Sequence, residues 1–242
     1  MNQIPLLFLP YAGGSAQVYK KWVKALHPSI LPIPIEMAGR GSRMGEPLCE
    51  EVSLAVKDLL YATRKYTSGP YAIFGHSMGS LLAYELMRSM RDEGLRLPTA
   101  AFLSGRDAPH RIDSNRETYL LPDESFIAEV KGLGGTSNEL FQHRELLNLF
   151  MPIMRADFKL VGTYQHVPGE PLPIHMIVMN GINDTSLCGE SIEWKAHTSH
   201  TCEIVHFEGG HFFIQEQEEK VVTLINEKMM EMMKDSLLAQ RY

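Results

Sequence analysis

The 242-residue chain is 44% apolar and carries a formal net charge of −6, so a substantial core is expected and no basic surface for nucleic acid. Its three cysteines, Cys49, Cys188 and Cys202, are odd in number and have neither Cys-x-x-Cys nor Cys/His spacing, which excludes a disulfide framework or a metal site as an organising element. The first apolar run, 4–9, has no basic residue before it and is too short for a signal or membrane segment, so the chain is expected to be cytoplasmic with no membrane partner.

Short apolar runs alternate with helical patterns, as in a mostly parallel central sheet flanked by helices, within one α/β domain over 1–242. In chain order the pattern predicts a strand over 4–9, a helix over 16–26, a strand over 31–36, a helix over 51–66, a strand over 71–74, a helix over 78–93 and a strand over 100–104. The rhythm then breaks, because roughly 70 residues precede the next strand, far more than a crossover needs. Within this insertion, taken as 107–170, Leu121-Pro122-Asp123 opens a helix that Gly132, Gly134 and Gly135 end. Further helical patterns over 140–150 and 153–164 close at Pro168, Pro171 and Pro173. Helices standing over a sheet edge are expected to form a lid. The alternation resumes with a strand over 174–180, a helix over 192–197, a strand over 202–207 and a helix over 216–238, whose Met229 to Met233 stretch is expected to pack against the sheet.

Gly75-His76-Ser77-Met78-Gly79 stands directly between a strand and a helix. A Gly-x-Ser-x-Gly at such a junction is the nucleophile elbow of the α/β-hydrolase fold. The turn forces Ser77 into a strained backbone conformation, leaves room only for small residues at Gly75 and Gly79, and sets the hydroxyl on a helix N-terminus. A serine hydroxyl needs a base. His211 lies on a loop after the strand over 202–207, where Gly209 and Gly210 permit a sharp bend; His76 adjoins Ser77 but points away from it. Two acids follow strand ends. Asp184 keeps the chain order serine, acid, histidine, and Asp107, after the strand that follows the nucleophile's helix, is its rival. Oxyanion donors are expected from the backbone N–H of Met78 and from the loop after the first strand, where Ala12 comes first and Tyr11 second. Gly13 and Gly14 lack the Lys-Ser/Thr of a phosphate loop.

With these residues in hand, the chain resembles the type II thioesterases of nonribosomal peptide and polyketide assembly lines along nearly its whole length. The resemblance is carried by Phe8-Leu-Pro-Tyr-Ala-Gly-Gly-Ser15, Gly75-His-Ser-Met-Gly79, Ser104-Gly-Arg106, Leu121-Pro122-Asp123 with Leu133-Gly-Gly135, Arg155-Ala-Asp-Phe158 and Phe207-Glu-Gly-Gly-His-Phe-Phe213. It departs at Ala38, where the family usually has proline, and at Asp107, where a basic residue is more common. The resemblance implies a stand-alone editing hydrolase, monomeric, with Ser77, Asp184 and His211 as triad and Met78 and Ala12 as oxyanion donors. No cofactor of its own and no metal are implied, since the acyl group rides on the phosphopantetheine of a partner carrier protein. Phe126, Leu140, Phe141, Leu149, Phe150 and Met154 would line the lid's channel or pack its core. Arg106, Arg111, Arg116 and Arg155 would offer a basic surface to an acidic carrier, or be ordinary solvated arginines.

Overall fold

The computed structural model describes residues 3–112, 116–135 and 138–239. Six strands, β1 (Ile4–Leu9), β2 (Ile30–Pro34), β3 (Ala72–His76), β4 (Ala100–Ser104), β5 (His175–Gly181) and β6 (Cys202–Phe207), form one sheet in the order β2-β1-β3-β4-β5-β6. Every pairing is parallel. The alternation of side chains along each strand divides the core in two. Leu7, Leu9, Ile73, Leu103 and Val178 face one helical layer, and Leu6, Phe8, Phe74, Phe102 and Ile177 face the other, so strands buried on both faces read as continuous apolar runs. β2 carries Pro32 and Pro34, which lack a ladder donor and are tolerated because the strand lies on the sheet edge.

The first layer contains α1 (Val52–Thr63) and α2 (Met78–Asp92), and the second is closed by α6 (Phe213–Glu216) and α7 (Glu218–Ala239). Met229 is buried in that second layer, with Met232 packed beside it. Two expected helices are tighter than predicted. The segment 16–26 forms two 3₁₀ turns, Ala16–Tyr19 and Trp22–Lys24. Its buried side chains, Tyr19 and Trp22, are three apart, a spacing that a three-residue turn stacks on one face against Phe8 and Phe74. The segment 192–197 is likewise a 3₁₀ helix, Ser191–His197.

Between β4 and β5 the chain leaves the sheet for α3 (Asp123–Leu133), α4 (Asn138–Gln142) and α5 (Arg144–Gly162). The two helices expected over 140–150 and 153–164 are replaced by the short α4 and one continuous helix. The break falls at His143, which is extended, and not at Pro152, which sits inside α5. Proline forfeits one helical hydrogen bond there, but Phe150, Met151, Ile153 and Met154 around it are all at least half-buried and hold both sides of the helix in register. Among the described residues no helix is long and apolar enough to cross a membrane, and no group of three or more His, Cys, Asp or Glu side chains is arranged to hold a metal.

Candidate active site

The carboxyl ends of β1, β3, β4, β5 and β6 converge on one cleft. β1 contributes Tyr11 and Ala12, β3 Ser77, β4 Gly105 to Asp107, β5 Ser186 and Leu187, and β6 His211 and Phe212. The insertion supplies the opposite wall with Val130, Leu133, Gly134, Phe158 and Val161. β1 lies between β2 and β3, so the chain reverses its winding direction there, and the space outside such a switch point is where open parallel sheets bind ligands.

β3 passes into α2 with only Ser77 between them. Ser77 adopts φ 54° and ψ −115° and is the single non-glycine residue with positive φ among the described residues. A conformation of this kind costs about 1–3 kcal/mol. It is held by the Ser77 N–H donating to the Ser104 carbonyl at 2.7 Å and by the buried Ser80 hydroxyl, whose oxygen accepts from Ser104 N–H at 2.8 Å and lies 2.8 Å from the Gly75 carbonyl. The flanking glycines are steric requirements: a Cβ on Gly75 would come within 2.1 Å of the Gly79 carbonyl oxygen, and one on Gly79 within 2.4 Å of the Leu9 oxygen.

Ser77 Oγ stands 3.0 Å from His211 Nε2, and His211 Nδ1 stands 2.8 Å from Asp184 Oδ2. The loops bearing acid and base are stitched together, with Ile182 N–H donating to Phe207 O and Asn183 N–H to Gly209 O, both at 2.9 Å. Asp184 Oδ1 accepts from Ser186 N–H at 3.0 Å and from the Ser186 hydroxyl at 2.6 Å. Burial opposes ionisation of Asp184, but the hydrogen bond and charge of His211, with the Ser186 bonds, outweigh it and hold the carboxyl below its usual pKa. An ionised Asp184 fixes the His211 proton on Nδ1 and leaves Nε2 to accept from Ser77.

The rival acid is placed elsewhere. Asp107 lines the cleft, but its carboxylate accepts from Cys188 N–H at 2.7 Å and Gly189 N–H at 3.0 Å, tying β4's loop to β5's loop. His76 does point away from Ser77: it is fully buried with Nδ1 2.9 Å from Ser104 Oγ. Burial, with His211 beside it, drives its pKa well below the ordinary histidine value. Neither Met78 N–H nor Ala12 N–H is engaged by another protein group among the described residues, so both are available to an oxyanion; Tyr11 N–H is likewise unengaged.

Of the six apolar residues suggested for a channel or a lid core, none of the five whose side chains are described lines the cleft. Phe126 and Met154 are buried in the insertion's own small core, with Phe141 and Phe150 against it. Leu149 faces outward at 47% exposure, and the Leu140 side chain lies outside the described residues. The cleft-facing side of α3 is instead formed by Val130 and Leu133 near its end and that of α5 by Phe158 and Val161. Of the four arginines, Arg106 and Arg111 line the cleft, and Arg111 pairs with Glu193. Arg155 instead donates to Asp123 and to the Tyr119 carbonyl and lies over the Phe126 ring, while Arg116 packs its backbone against Gly162. Sequence reasoning missed Ser186 and Ser80. The first was detectable as Asp184-x-Ser186, the spacing at which a carboxylate accepts its own backbone two residues on; the second has no local signature.

A family model described as a thioesterase domain matches residues 4–229. The chain is 34% identical over 227 residues, covering 92% of this chain and 86% of the other, to the Brevibacillus parabrevis protein named linear gramicidin dehydrogenase LgrE. To thioesterase PikA5 of Streptomyces venezuelae it is 32% identical over 231 residues, covering 95% and 82%. This sequence contains no Gly-x-Gly-x-x-Gly dinucleotide fingerprint. Among solved structures, ClbQ from the colibactin NRPS/PKS pathway matches with a TM-score of 0.90 at 36% identity, covering 96% of this chain and 98% of the other.

Proposed function

The chain belongs to the thioesterase domain family, whose members act as hydrolases on thioesters, and we propose that it is a stand-alone editing enzyme removing acyl or aminoacyl groups from the phosphopantetheine arm of carrier proteins. The single observation that carries the chemistry is the unbroken line Ser77 Oγ, His211 and Asp184 at 3.0 and 2.8 Å, opening into a cleft. His211 takes the Ser77 proton as the oxygen attacks the thioester carbonyl. The negative charge moves to the carbonyl oxygen, where Met78 and Ala12 N–H groups receive it. Collapse breaks the carbon–sulfur bond, and the His211 proton goes to the departing pantetheine thiol. Water, deprotonated by the same His211, then releases the acid and frees Ser77.

The cleft and its open mouth together hold about 880 Å³ of space not occupied by atoms. Its insertion-derived wall is mainly apolar, and Arg106 and Arg111 lie on the β4 side. In this reading the helices within 107–170 serve as the lid, the apolar wall takes the acyl chain, and the enzyme acts as a cytoplasmic monomer with no cofactor of its own. That relatives of the chain serve NRPS/PKS pathways supports a carrier-bound substrate. Acyl-loaded carrier protein is expected to lose its acyl group at least a thousand times faster with the enzyme than with its Ser77→Ala variant. Equal rates would refute the reading, and a higher kcat/KM on free carboxylic esters than on carrier thioesters would reassign the protein as an esterase.

A further inference from the structure

The segment 155–158, which carries part of the family resemblance, and the segment 37–40, where the chain departs from it at Ala38, contribute nothing to the triad, yet they meet in the core. Arg40 Nη1 and Nη2 lie 2.5 and 2.7 Å from the two carboxylate oxygens of Asp157, and both side chains are almost completely buried, at 3% and 0% exposure. A buried ion pair is weak evidence of stabilisation, because desolvating two charges offsets most of their attraction. Beyond the pair itself, each partner bonds to one and the same loop, while Arg40 Nε has no partner among the described residues. Asp157 Oδ2 accepts from Gly13 N–H at 2.7 Å, and Arg40 Nη1 donates to Gly14 O at 3.2 Å. The loop gripped in this way is the one that carries Ala12 N–H.

Gly13 has φ +74°, and a Cβ there would come within 2.9 Å of Met154 Cγ. Met154, Asp157, Phe158 and Val161 share one face of α5: Met154 presses on the loop, Asp157 bonds to it, and Phe158 and Val161 line the cleft. We propose that Arg40 and Asp157 are positioning residues for the oxyanion hole. The pair fixes the Ala12–Gly13 and Gly14–Ser15 peptide units, so that Ala12 N–H is aimed before a substrate arrives. Because Asp157 rides on the helix that forms the acyl wall, the wall and the donor move as one body. This inference rests on the serine-hydrolase reading above.

The test uses an acyl-N-acetylcysteamine thioester as substrate and a boronic acid that adds to Ser77 and places its oxygen where the oxyanion would be. Asp157→Asn, and the double change Arg40→Met with Asp157→Leu, which replaces the ion pair by packed apolar groups, are compared with the native chain. Folding is checked by near-UV circular dichroism and the unfolding midpoint. Removal of one oxyanion donor costs about 10²–10³ in kcat. Misaiming it is expected to lower kcat by about 10²-fold in both variants, with KM within threefold, boronate affinity reduced by a similar factor, and the pH midpoint of kcat unchanged. If folded variants keep native boronate affinity, or lose activity only through KM, the pair is structural and the inference fails. If the native chain neither cleaves the thioester nor binds the boronate, the hydrolase reading falls first and the inference with it.

Discussion

The sheet crest and the helical insertion face each other across the cleft, and they are built to different standards. At the crest every functional side chain sits within a few residues of a strand end and is fixed by neighbouring strands: Ser77 by the Ser104 carbonyl, Asp184 and His211 by the bonds between their loops. In the insertion the helices enclose a small core of Phe126, Val130 and Met154 and leave Leu120, Leu146 and Leu149 exposed. Proton transfer fails over an error of an ångström, whereas an apolar wall has only to exclude water and accommodate a shape. In the proposed reaction the crest therefore carries the chemistry and the insertion sets what is admitted.

That division can be broken by substitution. On the crest, Asp184→Asn is expected to lower kcat about 10⁴-fold by presenting the wrong imidazole tautomer, while Asp107→Asn changes it by less than about threefold, since Asp107 caps a loop and does not reach the base. Comparable losses for the two would restore Asp107 as the orienting acid. Across the cleft, Leu133→Trp should cut kcat/KM for a long acyl thioester by about tenfold and leave an acetyl thioester near its native value, within the 10- to 200-fold range that hydrophobic pockets discriminate. Equal loss on both substrates would mean that the insertion also shapes the reacting centre.

The smallest effect is on stability. Burial holds His76 neutral, and burial with His110, His166 and Arg88 nearby pushes His197 down to about 4. The unfolded chain protonates such rings below roughly pH 6.5, whereas the folded chain does not. Their depressed folded pKa values therefore leave stability intact above that pH and erode it progressively as the pH falls toward 4. Asp184, also depressed, adds its own loss only below the ordinary carboxylate range. Urea midpoints measured at pH 7, 6 and 5 should fall in that order, with a shallower decline in His197→Gln. A flat profile would contradict the burial of these rings.

The same contrast explains what the sequence disclosed. Strand ends at Leu9, Ser104 and Phe207 are readable to the residue: the first two close buried apolar runs before Pro10 and Gly105, and the third closes a half-exposed edge strand before Glu208-Gly209. Ser77 and His211 were readable because their loops need glycines at fixed offsets. Asp184 and Asp107 both follow strand ends; chain order and the resemblance favour Asp184, and the stitching of the β5 and β6 loops brings it, and not Asp107, to His211. In the insertion, the break expected between 150 and 153 is overridden by tertiary packing, and the lining residues could not be told from the core because both sets, such as Leu133 and Phe126, are apolar. The Arg40–Asp157 contact spans 117 positions and has no local signal at all.

The backbone at Ser77 has an evolutionary corollary. Glycine would adopt φ 54° without the steric cost, so Ser77→Gly relieves about 1 kcal/mol of strain while removing the reacting oxygen. Drift under selection for folding alone would favour that loss, and a chain that retains serine at this turn bears the mark of selection for the hydroxyl. Among descendants of such a fold, glycine or asparagine at this turn would mark those released from turnover.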